Sequence, residues 1–79
     1  MTRTIYTIKQ DGVKVAETFA WNSARRRVWA IAKEHATRIN GAFELVSEQA
    51  TKEGFGYIAG VYVWQGTNGE QITLQIIKA

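Results

Sequence analysis

Three consecutive arginines, Arg25, Arg26 and Arg27, are the densest group of chemistry-bearing side chains in the chain. A guanidinium is always charged and presents its donors in a planar fork, so such a cluster suits carboxylates or phosphates. All three fall in the first turn of a predicted helix, where the backbone dipole is positive and Asp or Glu would be favoured. Arginines set against that preference seek an anion: phosphate groups, or the carboxylates of a partner. The competing structural account lays them over sheet edges, paired with Glu17, Glu44 or Glu48 as ordinary surface ion pairs. Helical spacing turns Arg26 and Lys33 outward. It sets Arg25 and Trp29 on one flank and Arg27 with Arg38 on the other.

Aromatic residues complete the candidate binding set of Arg25, Arg26, Arg27, Trp29, Lys33, Tyr62 and Trp64. Trp29 reads as a flank residue closing the seam between helix and sheet. Tyr62 and Trp64 read as platforms on an open sheet face, able to stack bases or anchor a protein interface.

Catalytic chemistry is poorly supplied, and we expect a protein that is not an enzyme. His35 is the single histidine. It falls on the inward stripe between Ile31 and Ile39, the place of a core-edge histidine bonded to backbone or to a tyrosine. Ser23 and Ser47 are the two serines; the first has a capping role and neither has a base beside it. The acids are scattered, with no pair placed by local spacing. One histidine and no cysteine argue against a transition-metal site. Residues 54–59, GFGYIA, match G-x-G-x-x-A, but a dinucleotide fingerprint needs a helix directly after them. Here a β-run follows, so no cofactor is expected.

The elements that must hold these residues are short and few. Residues 22–41, NSARRRVWAIAKEHATRING, carry the one sustained helical period, and the spacing predicts a helix over 23–39. Its inward stripe is Ala24, Val28, Ile31, Ala32 and Ile39, with Asn22 or Ser23 as cap and Gly41 as terminator. Before it, a strand over 2–9 turns at Asp11-Gly12 into a second running to about Phe19. A two-residue turn pairs Ile8 with Val15, Tyr6 with Glu17 and Thr4 with Phe19. After it, 42–47 read as a strand, 49–53 as a polar connection and 55–64 as the longest strand. Residues 66–69 turn the chain, so that Ile72, Leu74 and Ile76 pair back against Val61 and Val63.

The order is ββαβββ: an α+β fold in which a single helix packs on one face of a five-stranded antiparallel sheet. In this phase the uncovered face exposes Ile5, Val46, Ile58, Tyr62, Trp64 and Ile77. An apolar patch of that kind marks an interaction site, so the expectation is either self-association as a homodimer through the open sheet face or capture of a partner there.

With 79 residues the chain reads as a single domain, 1–79, and its 46% hydrophobic content supports a packed core. No apolar run approaches the roughly 18 residues of a membrane span, and the N-terminal stretch lacks a signal-peptide core. A cytoplasmic protein without membrane contact is the expectation. Residues 1–40 hold eight Lys or Arg against three acids, and residues 41–79 two against four. That asymmetry points to a basic face made by the first hairpin and the helix.

The layout of a hairpin, then NSARRRVWAIAKEHA as one basic helix, then NGAFELV and a meander, resembles small phage-encoded anti-CRISPR proteins. The resemblance implies a stoichiometric inhibitor in the host cell cytoplasm that binds a CRISPR effector subunit and blocks nucleic-acid loading or cleavage. Many of these inhibitors are acidic nucleic-acid mimics. A basic chain instead favours docking on an acidic surface or on bound nucleic acid. Two functions are therefore carried forward. The first is a non-enzymatic inhibitor of a protein or nucleoprotein effector; the second is a sequence-tolerant nucleic-acid-binding module using the basic helix and the aromatic sheet face.

Overall fold

In the computed structural model, which describes residues 4–78, the chain runs β1 (Tyr6–Gln10), β2 (Val13–Thr18), α1 (Trp21–Arg38), β3 (Phe43–Glu53), β4 (Gly56–Gly66) and β5 (Gln71–Lys78). One antiparallel sheet in the order β2-β1-β5-β4-β3 holds all five strands, and α1 packs on one face of it. Of the expected first strand, Thr2 and Arg3 lie outside the described residues. Among the described residues no helix is long and apolar enough to cross a membrane.

The Asp11-Gly12 turn forms as its residues dictate, both with positive φ (49° and 88°). Asp11 also ties the turn to β5, its N–H donating to the Thr73 carbonyl at 2.9 Å and its Oδ1 accepting from the Thr73 N–H at 3.2 Å. The register beyond the turn differs from expectation. Lys9 faces Lys14 but Ile8 faces Ala16, leaving Val15 as an extra residue. This bulge brings Ala16 onto the helix side with Ile8, while Val15 and Phe19 stay exposed.

The helix begins two residues early. Ala20 occupies the cap position and no side chain caps it, so Asn22 and Ser23 lie inside the helix, exposed. Trp21 explains the early start. Its indole stacks on Tyr57 with centroids 4.8 Å apart and meets Tyr6 edge-on at 5.9 Å. That aromatic packing decides where the helix begins more strongly than a cap would. At the other end Asn40 takes the left-handed conformation (φ 53°), the role expected of Gly41. Gly41 serves close approach instead, since a Cβ there would collide with Thr67 Oγ1.

β3 runs straight through the expected polar connection to Glu53, and Gly54-Phe55 make a two-residue turn into β4. Two further bulges lie in this pair. Leu45 faces Trp64 while Ser47 faces Val63, skipping Val46; Thr51 faces Ala59 while Lys52 faces Tyr57, skipping Ile58. Each skip reverses the alternation beyond it.

The sheet therefore presents the opposite phase from the one expected of β4. Tyr62 (0% exposed) and Trp64 (5%) lie under the helix in one core with Ile8, Ala24, Val28, Ile31, Ala32, Ile72, Leu74 and Ile76. Ile72 faces Trp64 and Leu74 faces Tyr62, one residue off the expected pairing with Val61 and Val63. The reason is volume. The helix stripe is small at Ala24, Val28 and Ala32, so large side chains must rise from the sheet to fill the space. The outer face carries Thr7, Lys9, Val61, Val63, Thr73, Gln75 and Ile77, a mixture of polar and β-branched residues. Tyr62 and Trp64 thus drop out of the apolar patch expected on the uncovered face, while Ile77 and Val46 stay exposed.

Candidate functional site

Arg25 and Trp29, one helical turn apart, look out over β3 and β4. The Arg25 guanidinium lies over the Trp29 ring, 4.6 Å from its centroid. Its Nη2 donates to Glu48 Oε1 on β3 at 2.9 Å. The Val46 bulge makes this pair, because it turns Glu48, rather than Ser47, to the helix side opposite Tyr62. Held by a carboxylate on one side and an aromatic face on the other, Arg25 has a fixed direction. Glu48 raises its pKa, against the opposing effect of burial.

Trp29 is 37% exposed and stands at the seam, as expected of a flank residue. Its ring meets Tyr62 at 5.4 Å and Trp64 at 5.0 Å, both edge-to-face. Beneath it two buried polar atoms, Tyr62 Oη and Trp64 Nε1, have no hydrogen-bond partner among the described residues. Burial pushes the Tyr62 hydroxyl pKa up; the nearby Arg25 charge opposes the shift without making a well-formed hydrogen bond.

Trp29 borders two depressions on the same flank. An open cleft of about 470 Å³ is lined by Asn22, Arg25, Arg26 and Trp29. A smaller groove of about 230 Å³ is lined by Trp29, Ala32, Lys33, Ala36, Gly41, Ala42, Phe43 and Trp64. The first is cationic and the second is mostly apolar with a lysine at its rim. Arg26, Arg27 and Lys33 are exposed and make no ion pair among the described residues. No acid stands in the first turn and no side chain caps it; because the helix starts at Trp21, the arginines fall in its second turn rather than the first turn expected of them, and Lys33 lies further along.

Of the seven candidate residues, Arg25, Arg26 and Trp29 are brought together around the cleft, and Lys33 lies on the far side of Trp29. Arg27 falls outside both depressions. Tyr62 and Trp64 are corrected from open-face platforms to a floor under Trp29, placed there by the β4 phase. Asn22 and Glu48 were missed as part of the site. Glu48 was named only as a possible ion-pair partner, and a bulge that no local pattern announces decides its facing. His35 sits at the core edge with Nε2 3.2 Å from Gln10 Oε1 and its ring 6.0 Å from that of Phe43.

Compared with known proteins, the chain matches no family model, no curated protein and no solved structure.

Proposed function

We propose that this is a non-enzymatic binding protein, of the inhibitor kind that the sequence resemblance implies. It holds an acidic surface of a protein or nucleoprotein effector against the flank of α1. The observation that carries the reading is the cleft of Asn22, Arg25, Arg26 and Trp29 on an uncapped helix start. Arg25 is already oriented there by Glu48 and Trp29, which lowers the ordering cost of docking. Arg26, without an acid partner among the described residues, supplies uncompensated charge at the rim. An exposed aromatic flanked by arginines is the composition of an interface centre.

The nucleic-acid-binding module is the weaker reading. With Tyr62 and Trp64 under the helix, Trp29 alone of the three is left for stacking, whereas sequence-tolerant binders present successive aromatics along a basic groove. Titration of labelled single-stranded and duplex DNA and RNA at two salt concentrations separates the two. Steep, salt-sensitive binding lost in Arg25→Gln/Arg26→Gln would favour the nucleic-acid module. No binding at low salt, with capture of an effector subunit by wild type but not by that variant, is the result expected of the inhibitor.

A further inference from the structure

The sheet has two edge strands, β2 and β3. β2 is six residues long, and the bulge at Val15 breaks its outward row of main-chain groups. β3 is interrupted only at Val46. From there residues 47–53 pair one after another with β4, because the skip at Ile58 belongs to β4. All of them are exposed, so their outward N–H and C=O groups are open to a further strand. The side chains of this row divide by face. Glu48 lies opposite Tyr62, Ala50 opposite Gly60 and Lys52 opposite Tyr57, all on the helix side. Ser47, Gln49, Thr51 and Glu53 alternate with them on the other. Arg25 and Arg26 line the cleft above, Arg25 reaching Glu48 at 2.9 Å. Lys52 Nζ lies 4.9 Å from the centre of the Tyr57 ring. Arg25, Arg26 and Lys52 thus overlook the helix side of this edge, against the one carboxylate of Glu48.

We infer that this edge takes an extended acidic segment of the partner as a sixth strand, with Asp or Glu at the alternate positions that face α1. The inference rests on the acidic partner proposed above and names the form in which it docks. Main-chain bonds along residues 47–53 hold the segment, about 4.8 Å outside β3. Its carboxylate beside Glu48 comes under Arg25. That guanidinium gives Nη2 to Glu48 and stacks on Trp29, which leaves the other in-plane N–H groups of the fork for a second carboxylate. Lying between the two carboxylates, Arg25 offsets their repulsion, and Arg26 adds uncompensated charge beside it. A carboxylate further along meets Lys52, and the small Ala50 leaves room between. On the opposite face Ser47, Gln49 and Thr51 are neutral, so the segment needs no charge there. A second copy of this chain is the wrong occupant, because two β3 edges laid together bring one Arg25 and Arg26 flank against the other.

Titration with a synthetic peptide alternating Glu with Thr tests it. This peptide should bind roughly tenfold or more tighter than one of the same composition with its glutamates in a block. N-methyl groups on one alternate set of its amides should abolish binding, and on the other set should leave it intact, since successive amides of a strand point to opposite sides. Arg25→Gln/Arg26→Gln should weaken binding roughly tenfold or more, Lys52→Gln should weaken it too, and Lys14→Gln on the opposite edge should change nothing. Circular dichroism would verify that each variant is folded. Hydrogen exchange should slow over residues 47–53 and stay unchanged over 13–18. A peptide that binds whichever set is methylated, yet is lost in Arg25→Gln/Arg26→Gln, overturns the added strand and leaves the acidic partner standing. No binding of the alternating peptide, equal binding of the blocked one, or no protection of residues 47–53 also overturns it. The proposed function itself fails only if effector capture, the measurement described above, fails as well.

Discussion

Trp21 lies directly over Gly60: a Cβ built on that glycine would come 2.9 Å from the indole Cη2. The same hypothetical atom would stand 3.0 Å from Tyr62 Cε2 and 3.1 Å from its hydroxyl. Two large aromatics share the space that one missing side chain leaves, and the helix start rests on that vacancy. Gly60→Ala is therefore expected to destabilise the fold by about 1–3 kcal/mol, the cost of overpacking a filled site. In a chain of this size each kcal/mol moves the melting temperature by roughly 4–8 °C. An unchanged melting curve would show that Trp21 yields without cost.

Tyr62 carries a hydroxyl that is buried without a partner, and Tyr62→Phe removes it while keeping the ring. An unsatisfied buried hydroxyl costs roughly 1–3 kcal/mol, so the variant should be more stable by about 1 kcal/mol. A pH dependence accompanies this. Burial raises the hydroxyl pKa above its ordinary value of 10.0, so the native state holds the proton more tightly than the unfolded chain. That contribution is whole below pH 10 and declines as pH climbs from there through the native value. Denaturant melts above pH 10 should show wild type losing stability faster than Tyr62→Phe. Parallel curves would contradict it.

Trp64→Glu should leave no folded domain. Trp64 is 5% exposed beneath Trp29 and packed among core residues. A carboxylate there loses both the packing and its hydration, a penalty of several kcal/mol against a total stability of about 5–15. Far-UV circular dichroism checks this; a folded variant would return Trp64 to the surface.

The three arginines should separate in their effect on stability. Arg26→Gln and Arg27→Gln remove exposed cations that make no ion pair among the described residues and stand one turn in from the helix start, where the dipole has faded, so each should leave stability within about 0.5 kcal/mol of wild type. Arg25→Gln loses a partly exposed ion pair and a guanidinium–indole contact. Together these are worth about 1 kcal/mol after solvent screening. Thermal melts of the three single variants decide it. Equal shifts in all three would mean that Arg25 is no more structural than its neighbours.

Element order was legible because it rests on local cues: the helical stripe from Ala24 to Ile39, and Asp11-Gly12 between two apolar runs. Facing was not, because three bulges intervene at Val15, Val46 and Ile58. Alternation fixes facing only while the count is unbroken, and a single extra residue reverses everything beyond it. A clue to the β4 phase was present in the alanines of the helix stripe, which call for large residues opposite. The arginine cleft was half legible. Helical spacing placed Arg25 beside Trp29, but Glu48 reaches Arg25 through the Val46 bulge. Trp21 was hidden because its partners, Tyr6 and Tyr57, are distant in sequence and meet only once the sheet has formed.

The centre of the sheet is a join between distant parts of the chain. β1 and β5 lie side by side, with Tyr6 facing Lys78 and Gln10 facing Leu74. Each neighbours a strand met through a short turn: β1 with β2, and β5 with β4, which in turn pairs with β3. Two locally wound pieces thus meet along one line, and closing that line requires the longest loop in the fold. The hairpins can gather within microseconds, whereas the β1–β5 seam waits for a rare encounter of distant segments. Folding speed is accordingly governed by the meeting of residues 6–10 with 74–78, the seam over which the helix packs.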